Sequence, residues 1–275
     1  MTIAAGFVYG QGVLLCADSQ FTIGDAKMDG SKLGSFTAPW GTVICTFAGN
    51  IDYAAGAFQR CERNLSGHIK GQPLTVLEDT LGDYYTEHVF EHPDRADGEY
   101  DYNLLLAVKL KTEKRTQLYG TYDTVLREIA VFSCTGIGEL LGNGTLRFLY
   151  RPGMKENEAT ALAAYMLASV KRNIQYCGGR SVIYVLRNDG STEDLSSKRL
   201  ALFTESVSGW FVNQAEQFML THTFGEEKDF KARLVNLNVD ALYLRDLWNQ
   251  GPMPATQLPR RLTKHDWPDQ PPSPE

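Results

Sequence analysis

The chain lacks any apolar run near the ~20 residues needed to cross a bilayer. Its start is neither basic nor followed by a signal-type apolar stretch, so membrane and export readings fail and a cytoplasmic location is expected. It is poor in cysteine. Cys16, Cys45, Cys61, Cys134 and Cys177 form no CxxC pair and sit mostly in apolar strings, which argues for reduced buried thiols and against a disulfide framework or a zinc site. Positive charge is not in excess either: the net charge is −6 and the basic residues are scattered, so nothing points to nucleic acid. No Walker-type phosphate loop and no internal repeat occur, so any ATP-driven unfoldase acting with this chain must be a separate protein. What remains is a 275-residue chain, 43% hydrophobic and 22% charged, able to bury a full core and calling for no cofactor.

The informative part is the beginning. Met1 precedes a residue small enough for ordinary methionine removal, and removal leaves Thr2 with a hydroxyl nucleophile and a free α-amine in one residue. That amine has a reference pKa of ~8 against ~10 for lysine, so it can accept a proton near neutrality. Residues 2–9 (TIAAGFVY) and 12–19 (GVLLCADS) read as strands joined by Gly10-Gln11, a two-residue loop with glycine first. In that register Tyr9 faces Gly12, Ile3 faces Asp18 and Thr2 faces Ser19. A second turn centred between Asp25 and Ala26 would set Ser19 opposite Lys32, so a hydroxyl, a carboxylate and an ammonium converge from adjacent strand ends.

The stretch TIAAGFVYGQGVLLCADSQFTIGDAKMDGSKL resembles the N-terminal half of proteasome β-type subunits and their bacterial relatives. Phe47-Ala48-Gly49-Asn50 is similar to that family's glycine corner before a helix, Cys134-Thr135-Gly136-Ile137-Gly138 to its Gly/Ser turn, and Cys177-Gly178-Gly179 to its Ser-Gly-Gly before the last core strand. The resemblance spans roughly the first 190 residues, the size of one such subunit. It implies catalysis by Thr2, Asp18 and Lys32, with Thr135 and Asn173 orienting the amine. Asn173 stands where the family has an aspartate, and Cys177 and Thr135 where it has serines. It also implies a peptide cleft lined by Gln20, Thr22, Phe47 and Ile51. Gly49 is most simply a tight-turn glycine, and the same freedom lets its N–H face an oxyanion.

Further along, residues 42–48, 102–110, 117–122, 129–134 and 181–186 read as strands, and 52–65, 75–91, 139–149 and 156–174 as helices. This order suits an α+β fold, the four-layer αββα sandwich of N-terminal nucleophile hydrolases, with a C-terminal extension. The expected domains are a hydrolase domain over 1–198, an added helical or mixed segment over 199–250, and an extended or disordered tail over 251–275, where seven of the eleven prolines lie.

The expected activity is that of a threonine-type hydrolase, a self-compartmentalising peptidase subunit assembled as a homo-oligomeric ring or spiral and acting on peptides or unfolded protein. The helices over 52–65 and 75–91 are the expected ring-to-ring surface. Two alternatives share the fold: an inactive scaffold, permitted by Asn173 and Cys177, and a hydrolase of small amides. A different class is raised by His88-Val89-Phe90-Glu91-His92, an HxxEH string like that of inverted zinc peptidases. Pro93 follows at once and disfavours helical geometry at His92, so no metal site is expected.

Overall fold

The computed structural model describes residues 2–23, 26–67, 69–93 and 100–196, together with positions 242 and 245. Two apolar runs and the Gly10-Gln11 turn make the first hairpin, β1 (Ala4–Tyr9) and β2 (Gly12–Asp18), in the register Tyr9↔Gly12 to Ala4↔Ala17. β3 (Gln20–Ile23) and β4 (Ala26–Asp29) then pair only with each other. β5 (Leu33–Ala38) and β6 (Gly41–Gly49) lead into α1 (Ile51–Leu65), capped by the Asn50 side chain, and α2 (Pro73–Tyr85), which opens on proline. A π-helical turn, Thr86–Phe90, ends that helix.

β7 (Tyr102–Leu110), β8 (Gln117–Tyr122) and β9 (Val125–Ile129) extend the sheet of β5 and β6, in the order β5-β6-β7-β8-β9. β10 (Phe132–Thr135) joins the other large sheet, followed by α3 (Glu139–Leu149), α4 (Glu156–Asn173), β11 (Ser181–Arg187) and β12 (Thr192–Asp194), giving the order β10-β1-β2-β11-β12.

Each large sheet has its own apolar side. Ile3, Phe7, Leu14, Cys16 and Ile183 pack with Leu146 of α3 and Leu162, Met166 and Val170 of α4. Val43, Cys45, Phe47, Leu104 and Leu106 pack with Ala54, Ala57 and Cys61 of α1 and Leu77 and Leu81 of α2. A third cluster joins Val13, Leu15 and Leu186 to Ile44, Leu105 and Leu118. A fully buried leucine, isoleucine or phenylalanine contributes about 1.5–3 kcal/mol, so these clusters hold the strand ends in place. All five cysteines are buried and unpaired. Among the described residues the most exposed large apolar side chains lie on α3, Leu140 at 89% and Phe148 at 90%.

Among the described residues the architecture is a mixed α/β arrangement of two five-stranded antiparallel sheets, a separate two-stranded sheet and four α-helices, which corrects the expected α+β four-layer αββα sandwich. Periodicity reports which face of a segment is apolar and leaves open how strands are shared among sheets. Residues 129–134, read as one strand, divide between β9 and β10 in different sheets, and β5 and β12 carry too little alternation to be seen. The segments expected over 199–250 and 251–275 lie outside the described residues except for positions 242 and 245.

Candidate active site

Thr2 sits two residues before β1, and the hairpin register carries it to the end of β2, where the Ile3 carbonyl accepts the Asp18 N–H at 3.2 Å. Thr2, Asp18 and Lys32 are 3%, 0% and 1% exposed. The Thr2 hydroxyl donates to Asp18 Oδ1 and accepts from Lys32 Nζ. Lys32 Nζ also donates to Asp18 Oδ1 at 2.6 Å and to the Gln20 carbonyl at 2.6 Å, so its three protons have three acceptors. Its charge lies 4.8 Å from the centre of the Phe21 ring.

Asp18 is held from both sides. Oδ1 also accepts the Ile3 N–H at 3.1 Å, and Oδ2 accepts the Gly178 N–H at 2.9 Å. Burial pulls the Lys32 ammonium below its ordinary value, with the Asp18 carboxylate opposing that shift. Beside them the Cys177 thiol is pushed up to about 12, first by burial and then by the Asp18 charge.

Lys32 reaches this place by a route the sequence reading did not give. The β3–β4 ladder runs Gln20↔Asp29 to Ile23↔Ala26, and the Gly30 N–H reaches the Ser19 carbonyl, so Gly30 and not Lys32 lies across from Ser19. Lys32 comes instead from the link between β4 and β5.

The remaining expected residues divide. Gln20 is buried, with its N–H on the Gly178 carbonyl and its amide on the Tyr176 carbonyl. Thr22 pairs with Lys27 in the two-stranded sheet. Thr135 is buried opposite Ala4 on the strand next to β1. Gly49 ends β6 opposite Tyr102 at φ 97°, and a Cβ there would run into the Asp101 carbonyl, so glycine is required by the corner itself. Ala48 packs with Ala4 and Ala17, whereas Phe47, the next residue along the strand, points into the cluster of α1 and α2, against which Ile51 also packs. Asn173 is not brought to Thr2: it is exposed and donates to the Ser169 carbonyl of its own helix at 2.8 Å.

Three backbone groups at the site carry no side-chain signature. Gly136, at φ 94°, lies so close to the Thr2 carbonyl that a Cβ would collide with it, and the Gly138 N–H donates to that carbonyl at 3.3 Å. The third is the Gly178 N–H on Asp18. Their glycine-rich strings were the signal, read as turns and not as contacts to Thr2 and Asp18.

The HxxEH string is dispersed. His88 lies 4.4 Å, ring to ring, from Tyr84, and His92, past the π-helical turn, stacks on Tyr100 at 3.7 Å. No cluster of three or more His, Cys, Asp or Glu suited to a metal occurs among the described residues. Nor is any helix among them long and apolar enough to cross a membrane.

No family model matches the chain, and no curated protein matches its sequence. Solved structures do match in fold. Anbu from Hyphomicrobium sp. strain MC1 is 17% identical at a TM-score of 0.64, over 82% of this chain and 98% of that one. Anbu from Yersinia bercovieri, described as an ancestral beta-subunit, is 16% identical at 0.66, over 82% and 99%. The Anbu complex from Pseudomonas aeruginosa, described as a helical assembly, is 13% identical at 0.63, over 83% and 99%. These findings correct the sequence resemblance to proteasome β-type subunits, because short glycine-centred motifs recur without any match along the whole chain. The likeness that stands is one of fold, to Anbu.

Proposed function

We propose that this chain is a threonine-type N-terminal nucleophile hydrolase, a self-compartmentalising peptidase subunit that cleaves peptide bonds through an acyl-ester on Thr2. The observation that carries the reading is the buried contact of one hydroxyl with both Lys32 and Asp18. Removal of Met1 frees the α-amine. The amine takes the Oγ proton, directly or through water, as the oxygen attacks the substrate carbonyl. The tetrahedral intermediate collapses to an ester as the proton passes to the leaving amine, and a water activated by the same α-amine then hydrolyses the ester. Lys32 supplies positive charge beside the reacting oxygen and favours the unprotonated amine, and Asp18 fixes the ammonium. The Gly49 N–H is the proposed oxyanion donor, worth ~3 kcal/mol of transition-state stabilisation. Gln20, Ile51 and the main chain of Thr22 line the proposed peptide cleft, and Phe47, the fourth residue expected there, packs instead in the cluster of α1 and α2.

A nucleophile open to all cellular proteins would be destructive, and the helical assembly of the Anbu complex supports enclosure by oligomerisation here too. Intact-mass measurement is expected to show Thr2 as the first residue, and Thr2→Ala to abolish hydrolysis of a fluorogenic peptide with the melting temperature kept. Turnover surviving in that variant overturns the assignment. Light scattering coupled to size exclusion is expected to show an oligomer, and a monomer active on small amides would leave a small-amide hydrolase instead.

A further inference from the structure

Two residues apart at the end of α4, Lys171 and Asn173 face different surroundings. Asn173 is exposed, while Lys171 is half-buried and reaches out of its helix to the Gly179 carbonyl at 3.1 Å and Ser181 Oγ at 2.8 Å. Ser181 is the residue directly across the β2–β11 ladder from Asp18. The link between them is held tightly on its other side: the Ser19 N–H donates to the Arg180 carbonyl at 2.9 Å and the Arg180 N–H to Ser19 Oγ at 2.7 Å. It is this link that presents the Gly178 N–H to Asp18 Oδ2. Lys171 therefore grips, from the helix side, the segment that holds the acid of the proposed site.

We propose that Lys171 is a positioning residue for the threonine chemistry: by holding Gly179 and Ser181 it keeps the Gly178 N–H on Asp18 Oδ2, which leaves Oδ1 turned to Thr2 and Lys32. The inference rests on the reading of Thr2 as nucleophile. It also gives Asp18 a second cation. The ionisable groups around the acid are Lys32 from the β4–β5 link, Lys171 from α4, Cys177 from the α4–β11 link and, behind Ser19, Asp29 of β4, which accepts from Ser19 Oγ at 2.8 Å. Burial lowers the Lys171 ammonium and the Asp18 charge raises it, so the two groups are electrostatically coupled. Loss of that cation removes positive charge from the surroundings of the site, which moves the acidic limb of activity to higher pH.

The test compares the full-length wild type with Lys171→Met, Lys171→Arg and Thr2→Ala, all with removal of Met1 checked by mass. Amide exchange at Gly178, followed by NMR, reads the grip without reference to activity. It is expected to quicken at least ~10-fold in Lys171→Met relative to global unfolding, and to return close to wild type in Lys171→Arg. On a fluorogenic peptide, kcat is expected to fall about 10- to 100-fold in Lys171→Met with KM little changed, the acidic limb to shift upward, and Lys171→Arg to recover most of both. Unchanged Gly178 exchange overturns the proposal, as does a wild-type kcat and pH profile in Lys171→Met while Thr2→Ala is inert. An equal loss in Lys171→Met and Lys171→Arg that tracks their melting temperatures overturns it in favour of a purely structural role. Turnover surviving in Thr2→Ala instead overturns the nucleophile reading, and the catalytic half of this proposal with it. Should Lys171→Met fail to fold, Ser181→Ala, which removes one of the two acceptors, is expected to move exchange and kcat in the same direction by about 3-fold; no movement there overturns the proposal.

Discussion

The β2–β11 ladder carries an ion pair at each end, and the two are built on opposite terms. At the Asp18–Ser181 end, Lys32 and Asp18 meet at 2.6 Å with both side chains almost wholly out of water. At the Gly12–Arg187 end, Arg187 clasps Glu156 of α4 through two bonds of 2.6 and 2.7 Å, joined by the Tyr9 hydroxyl at 2.7 Å, and both charged groups keep about a quarter of their surface in solvent. The partly exposed pair is a bidentate tie between helix and sheet, formed at a smaller desolvation cost. The buried pair loses several kcal/mol per ion to desolvation, and a well-packed apolar pair would serve stability as well or better. Stability alone does not account for an arrangement of that kind wrapped around a hydroxyl.

Lys32→Met is the sharpest way to break this contrast. It leaves Asp18 as a buried charge without the cation bonded to it, so a loss of about 3–5 kcal/mol in denaturant melts is expected, together with loss of peptide hydrolysis. A variant that folds as well as the wild type would mean that the buried ion pair does not hold this end of the ladder.

Gly136→Ala should cost about 1–3 kcal/mol in the same melts, because it places a Cβ at positive φ against the Thr2 carbonyl. Its peptide turnover should fall more than its stability, since the displaced backbone belongs to Thr2.

The smallest effect belongs to the solvent-facing end. Arg187 holds the Glu156 carboxyl below its ordinary value, so the stability that this pair contributes is present above the unfolded carboxylate value of ~4.3 and is lost as pH falls through the lower folded value. Glu156→Gln is expected to cost about 1 kcal/mol at neutral pH and to flatten that part of the acid-side decline in melting temperature. An equally steep decline in the variant would move the acid sensitivity to other carboxylates.

What the sequence made legible follows what fixes each contact. The β1–β2 register follows from a two-residue loop, so the approach of Thr2 to Asp18 could be counted off residue by residue. The neighbouring hairpin resisted the same counting: its ladder closes at Ile23↔Ala26, two residues off the expected sum, and Lys32 is placed by three acceptors around its ammonium instead of by a strand partner. At the end of α4 the obstacle was helical phase. Lys171 and Asn173 are ~200° apart around the axis, so a motif that picks out Asn173 says nothing of Lys171. The Gly178 N–H on Asp18 and the Gly138 N–H on Thr2 were invisible because every residue but proline has an amide hydrogen. The division of the described strands among three sheets was hidden for the related reason that ladder partners are chosen by distant chain segments.

The five buried thiols turn the protein into its own recorder of core opening. Cys16, Cys134 and Cys177 lie among the residues packed by α3 and α4, and Cys45 and Cys61 among those packed by α1 and α2. An alkylating reagent therefore finds no accessible thiol on the native chain and modifies each group only when its side of the molecule opens. Mass gained in steps of three and two labels would reveal that the halves open separately, and a single jump of five that they open together.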